Sequence, residues 1–172
     1  MYNFKMLNKL NKIYNNQSFN PGIIGILINP FYFIRSRIYG SIRQNAQHLQ
    51  GTLLDFGCGR KPYEHLFRVE KYIGIDVDQS GHDHEKEAID VFYDGKNIPF
   101  ENEYFESCFS CQVFEHVFDL EYSLKEIHRV LKPNGKCLFI VPFVWDEHEI
   151  PYDFVRYSSF GLIHVLEKNG FK

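Results

Sequence analysis

The 172-residue chain lacks several features, and each absence removes a class of ligand or location. It has no Gly-Lys-Ser/Thr phosphate loop, since Arg60-Lys61 has neither the preceding glycine nor the following hydroxyl that such a loop uses. A dinucleotide fingerprint wants a third glycine five residues after Gly57, where a pyrophosphate must approach the backbone; that position is Pro62, which argues against NAD and FAD. No basic run is long enough to track a phosphate backbone, and 19 lysines and arginines face 22 aspartates and glutamates, so nucleic acid is not an expected partner. The first 18 residues are polar, rich in Asn and Lys, and carry no basic-hydrophobic-cleavage pattern of a signal peptide. Residues 19–34 are strongly apolar, but two prolines and two asparagines interrupt them, and they fall short of the ~20 residues that cross a bilayer.

Cysteine is scarce as well. Of the four, at 58, 108, 111 and 137, three fall in segments that read as strands and one in a glycine turn, which suits buried small hydrophobes in a reducing cytoplasm. Cys108 and Cys111 have redox or half-zinc-site spacing. On a strand, however, residues three apart point to opposite faces, and no helix N-terminus follows to lower a thiolate pKa.

What the chain does have is Leu53-Leu54-Asp55-Phe56-Gly57-Cys58-Gly59, an apolar strand entering a tight glycine turn, followed by a second strand, Tyr72–Ile75, that ends on Asp76. Glycines at 57 and 59 can adopt backbone angles closed to other residues, while a carboxylate at the next strand end can accept two ribose hydroxyls. A nucleoside without a pyrophosphate is the expected ligand.

The length suits one domain burying about 70% of its unfolded surface. Residues 1–50 are expected to form a polar segment and helical cap, with a helix over Ile34–Leu49, and residues 51–172 an α/β domain. Residues 19–34 and that helix are expected to cover the domain near the ligand mouth. Arg35, Arg37 and Arg43 leave open peripheral contact of residues 19–43 with a membrane surface or a partner. Beyond residue 52 the pattern alternates strand and helix, with apolar runs too continuous for a half-exposed antiparallel sheet, so a Rossmann-like, mostly parallel sheet flanked by helices is predicted. Strands are expected at Thr52–Phe56, Tyr72–Ile75, Ala88–Phe92, Ser107–Gln112 and Lys136–Phe143, the last a buried central strand. Helices are expected at Pro62–Phe67, Asp119–Leu131 and Ser159–Lys168, the last closed by Asn169-Gly170.

In this order the elements resemble the class I S-adenosylmethionine-dependent methyltransferases, in particular small-molecule enzymes with an Asp-x-Gly-Cys-Gly signature. The resemblance covers about residues 50–171 and rests on five ordered signatures: Leu53–Gly59; Tyr72–Asp76; Asp94 through Ile98-Pro99-Phe100; Phe105-Glu106 with Gln112-Val113-Phe114-Glu115-His116; and Ile127–Gly135. Two departures stand out, Lys61 in place of a third glycine and Phe105-Glu106 in place of Phe-Asp. The Gly59-Arg60-Lys61-Pro62-Tyr63 turn is similar to one in methyltransferases of bacterial surface-glycan pathways. The resemblance implies S-adenosyl-L-methionine as cofactor. It implies Asp55 and the Gly57-Cys58-Gly59 backbone at the methionyl end, Asp76 on the ribose, Asp94 with Gly95 near the adenine amino group, and Gln112 beside the carboxylate and sulfonium. It also implies a seven-stranded sheet, whereas only five strands are legible; the last two are expected to be lacking, with either a longer native chain or an edge closed by self-association into a homo-oligomer or by the Phe19–Ile34 segment.

On the acceptor side, Pro142–Tyr157 concentrates aromatic, acidic and imidazole groups after the fifth strand, where open α/β sheets place ligands. Asp153 and Arg156 are spaced to form an i,i+3 pair that fixes this lid. His148 is the candidate base for a hydroxyl acceptor and His116 a candidate substrate-facing group. No metal site is expected: His82 and His84 sit in the charged loop Gly81–Lys86 without a third ligand. The expected function is methyl transfer to a small-molecule or glycan-linked acceptor. The alternatives are a nucleoside-dependent oxidoreductase and a catalytically inactive methyltransferase-like interaction module.

Overall fold

The computed structural model describes residues 17–78 and 88–172, so the loop holding His82 and His84 lies outside the described residues. The chain divides into two compact units, one ending at Ala46 and one beginning at Gln47.

The first unit holds a short helix α1 (Gly25–Ile28) and a longer helix α2 (Tyr32–Asn45). Asn29 makes the corner between them: its side chain donates to the Gln17 carbonyl at 2.9 Å and accepts from Phe31 N at 2.9 Å. Pro30 follows, and the two prolines and two asparagines thus break the apolar run into turns. The helix predicted over Ile34–Leu49 starts earlier and ends at Asn45, followed by a single 3₁₀ turn, Ala46–His48. Within this unit Ile23, Leu27 and Phe33 are 86%, 87% and 78% exposed.

The second unit is built on a five-stranded sheet of order β3-β2-β1-β4-β5, with every pair parallel. The strands are β1 (Thr52–Phe56), β2 (Lys71–Val77), β3 (Val91–Tyr93), β4 (Phe105–Cys111) and β5 (Leu131–Ile140). Register pairs Asp55 with Gly74 and Leu54 with both Ile73 and Cys108. Leu53, Leu54, Phe56, Ile75, Phe105 and Cys108 are all buried, as parallel strands covered on both faces require. Helix α3 (Leu120–Val130) supplies Leu120, Leu124, Ile127 and Val130 to the core, and Asp119 caps its start by accepting from Tyr122 N at 3.1 Å. Helix α4 (Ser159–Lys168) is capped by Ser158 and closes as predicted, with Gly170 at φ 94° and Phe171 N donating to the Leu166 carbonyl.

Four expectations need correction. The helix predicted over Pro62–Phe67 is a single 3₁₀ turn, Glu64–Leu66, because Tyr63 and Phe67 both turn inward onto Phe109 and leave no room for a second turn before β2. β3 begins at Val91 rather than Ala88: the Asp90 carboxylate takes the Gly74 N–H at 2.7 Å, which a regular ladder would give to a backbone carbonyl. β4 stops at Cys111 because Gln112 adopts φ 58°. β5 is not a central strand; it is at the sheet edge, half-buried over Cys137–Ile140, and it begins at Leu131 with a register shift between Phe105 and Ser107 that throws out Lys132–Gly135.

Candidate functional site

Strand order reverses between β1 and β4, so the turns leaving their C-terminal ends open a crevice, the usual ligand position in an open α/β sheet. The turn after β1 is clamped to β2: Gly57 N and Cys58 N both donate to the Ile75 carbonyl, at 3.0 and 3.1 Å. Gly57 has φ 74°, and a Cβ there would stand 2.5 Å from both methyl carbons of Val113, so only glycine fits between β1 and β4 at this point. Asp76 reaches across to accept from Gly59 N at 2.9 Å and from Val77 N at 2.9 Å. Its carboxylate thus ties the glycine turn to the end of β2.

Asp55 is buried and accepts from the Tyr72 hydroxyl at 2.6 Å. Burial pushes its pKa up to about 7 against the pull of that hydrogen bond, and the nearby Asp76 carboxylate raises it further. Burial raises the Cys58 thiol too, so this cysteine is a packing group and not a nucleophile. Lys61, where the resemblance expects glycine, tolerates the turn at φ 48° by folding its chain over the Tyr72 ring and pairing its ammonium with Asp90. Tyr72, Lys61 and Asp90 were not singled out as site residues from the sequence. Their signal, a phenol and a carboxylate on neighbouring strands, becomes legible only once β1–β2 register is known.

Asp94 is exposed. It accepts from Lys96 N and Asn97 N at 2.8 and 2.7 Å, bonds that hold its carboxyl below the ordinary range, with Gly95 at φ 75° in the same turn. Gln112 occupies the left-handed region at the end of β4, where its N–H donates to the Ile140 carbonyl at 2.8 Å. A non-glycine residue held there is a strained position of the kind that collects at ligand sites.

The structure brings together residues that the sequence left apart. Glu115 and His116 lie in a 3₁₀ turn just after β4, and His148 comes to them on the lid, its ring 4.7 Å from that of His116. The lid is seated by Phe154 N donating to the Glu115 carbonyl at 2.8 Å. It is braced by Arg156, which binds Asp153 through two parallel bonds of 2.5 and 2.7 Å, the predicted i,i+3 pair. That guanidinium holds the Asp153 carboxyl well below the usual carboxylate range. Asp153 Oδ2 in turn accepts from His148 N at 2.9 Å and lies 3.1 Å from His148 Nδ1. Glu115 is buried, and burial raises its pKa.

A glycine turn closed to a side chain at Gly57 and the carboxylates of Asp55 and Asp76 thus stand together at the C-terminal ends of β1 and β2. Residues 54–139 match the family model described as a methyltransferase domain, half of the chain. The chain belongs to that family. Similar solved structures include a Thermotoga maritima S-adenosylmethionine-dependent methyltransferase (20% identity, 83% of this chain and 74% of that one, TM-score 0.64). Another is a structure of the Haloferax volcanii Trm112 methyltransferase activator in complex with a methyltransferase (18% identity, 91% and 75% coverage, TM-score 0.62). A third is an S-adenosylmethionine-dependent methyltransferase from Archaeoglobus fulgidus (18% identity, 80% and 69% coverage, TM-score 0.59). No curated protein matches the sequence. The protein is a methyltransferase of Rossmann-like fold.

Proposed function

We propose that this enzyme methylates a small-molecule or glycan-linked acceptor, with the cofactor held at the β1–β2 turns and the acceptor met by the lid. The observation that carries the reading is the division of the crevice: Asp55, Gly57–Gly59 and Asp76 cluster at its β1–β2 side, and His116 and His148 stand together beyond β4. In this reading Asp76 binds the ribose, Asp55 serves the methionyl amino group, Asp94 and Gly95 flank the adenine, and Gln112 lies beside the sulfonium. The cofactor, when bound, supplies an electrophilic methyl group on a positively charged sulfur. The protein's work is alignment and exclusion of water. His148, oriented by Asp153, is placed to take the proton of a hydroxyl acceptor, whereas an amine acceptor already has a free electron pair. Calorimetry with S-adenosylmethionine and its demethylated product tests the cofactor half. Asp76→Ala is expected to bind at least about tenfold more weakly, since it loses a paired hydrogen-bonding carboxylate; an equal affinity would remove Asp76 from the ribose site.

The same reading places the protein against an anionic membrane surface through residues 19–43. The first 54 residues contain three lysines, three arginines and no aspartate or glutamate, while the rest of the chain carries 13 basic residues against all 22 acidic ones. Exposed Ile23, Leu27 and Phe33 lie in the same basic segment as Arg35 and Arg37, the pairing of apolar and cationic groups that interfacial helices use. No helix among the described residues is long and apolar enough to cross a membrane. Co-sedimentation with phosphatidylglycerol vesicles is expected, and with phosphatidylcholine vesicles it is not. Equal behaviour with the two would exclude the electrostatic half of the contact.

A further inference from the structure

The mouth of the lid contains a carboxylate that methyl transfer does not use. Glu115 is 1% exposed, and neither of its oxygens has a hydrogen-bond partner. Buried, unpaired polar atoms are rare in folded proteins and call for an ion, a ligand or a water. One ligating atom from each of Glu115, His116 and His148 lies within 4.8 Å of the others.

Both imidazoles are oriented from behind. His116 Nδ1 is 2.8 Å from the Tyr152 carbonyl oxygen, which can only accept, so Nδ1 donates there and Nε2 is the nitrogen that faces the carboxylates. That Nε2 is 3.9 Å from Glu115 Oε1 and 3.6 Å from Glu149 Oε1. His148 Nδ1 is 3.1 Å from the Asp146 carbonyl and 3.1 Å from Asp153 Oδ2, again two acceptors, which leaves its Nε2 to bind elsewhere. A ring nitrogen donating to a carboxylate or carbonyl while its partner nitrogen stays basic is the arrangement that orients metal-binding histidines.

We propose that Glu115, His116 and His148, with Glu149 as a fourth donor, form a binding site for a divalent first-row transition metal ion. Imidazole nitrogens mixed with carboxylate oxygens suit Zn²⁺, Co²⁺ or Mn²⁺, whereas Mg²⁺ and Ca²⁺ prefer oxygen alone. Donors about 2.1 Å from a tetrahedral ion stand about 3.4 Å apart, so binding draws the lid about 1 Å further onto the end of β4. The ion would balance the buried charge of Glu115 and tie the lid to the sheet. It would also change the two imidazoles from proton acceptors into ligands, a consequence that rests on the acceptor-side reading above; the binding itself does not.

Titration of the metal-free full-length protein with Zn²⁺ by calorimetry, and with Co²⁺ by visible absorption, tests the site without turnover. The expected result is saturable binding of each, with cobalt bands characteristic of nitrogen and oxygen ligands. Affinity should fall at least about tenfold in Glu115→Gln and in His148→Gln, because loss of even an outer-shell partner costs about 10–100-fold. Glu115→Gln keeps the side-chain volume, and His148 lies on the lid away from the core, so circular dichroism should find at least the second variant folded. Absence of saturable binding, or unchanged affinity in folded His148→Gln, would overturn the site. S-adenosylmethionine titration of the wild type is a separate readout, so a failure of methyl-transfer chemistry and a failure of the metal site give different results.

Discussion

At the scale of single residues, Asp55 makes the most specific demand on experiment. Its pKa rises from 3.8 to about 7 in the folded protein, so between those values the native state holds a proton that the unfolded chain has released. A raised folded pKa contributes stability that is fully present below the unfolded value and is lost as pH rises through about 7. Melting temperatures measured from pH 4 to 8 should therefore fall for the wild type relative to Asp55→Asn, which removes the titration. A cationic methionyl group favours the ionised form, so cofactor binding should tighten as pH rises through this range and release a proton. Calorimetry in buffers of different ionisation enthalpy reads that proton directly. Gly57→Ala should be worse than Asp55→Asn, because its Cβ meets both Val113 methyls at 2.5 Å in a backbone conformation already unfavourable for alanine. A loss of about 2–3 kcal/mol in urea unfolding and failure to bind cofactor are expected.

Among the elements, α3 does more than cover the sheet. Arg129 donates to the Ile98 and Phe100 carbonyls at 2.9 and 2.8 Å and to both carboxylate oxygens of Glu126 through Nε and Nη2, while Glu126 accepts from Ile98 N at 2.9 Å. The segment after Asp94 is thus held by side chains of a helix distant in sequence, and Ile98 is seated in the core by that hold. Arg129→Ala should cost about 2–3 kcal/mol in chemical denaturation, since it strands two carbonyls and one carboxylate. Arg129→Lys should recover little of it, because a lysine cannot reproduce the fork. The lid uses the same device, with Arg156 fixing Asp153 and Asp153 fixing His148. Asp153→Asn should therefore lower turnover with a hydroxyl acceptor more than it weakens cofactor binding, which initial-rate measurements at saturating cofactor can separate.

For the whole molecule, charge and sheet edge are the two open properties. All 22 acidic residues lie after residue 54, which leaves the six basic residues before it uncompensated, so vesicle binding should weaken as salt rises towards 0.5 M, where the Debye length falls to about 4 Å. β5 pairs with β4 on one side, and no strand among the described residues pairs with its other side. Its half-buried Cys137, Leu138, Phe139 and Ile140 make that edge a natural place for a second copy to add a strand. Light scattering behind a size-exclusion column should then report a dimer that dissociates on dilution, and a monomer at all concentrations would count against pairing at this edge.

Local chemistry written in consecutive residues determined the parallel α/β class, the Gly57–Gly59 turn, the strand-end Asp76 and the capped α3 and α4, because continuous apolar runs, glycines and caps act within a few residues of themselves. The sequence also carried the spacing of Asp153 and Arg156, and the pair forms. Tertiary structure alone decided the rest. It made β5 an edge rather than the centre, since strand order depends on crossover geometry and not on the hydrophobicity of one run. It replaced the Pro62–Phe67 helix with one turn, since Tyr63 and Phe67 had to reach Phe109. It also set His148 beside Glu115 and His116, groups more than thirty residues apart whose meeting depends on where the lid folds back over β4, and burial then left the Glu115 carboxylate without a partner.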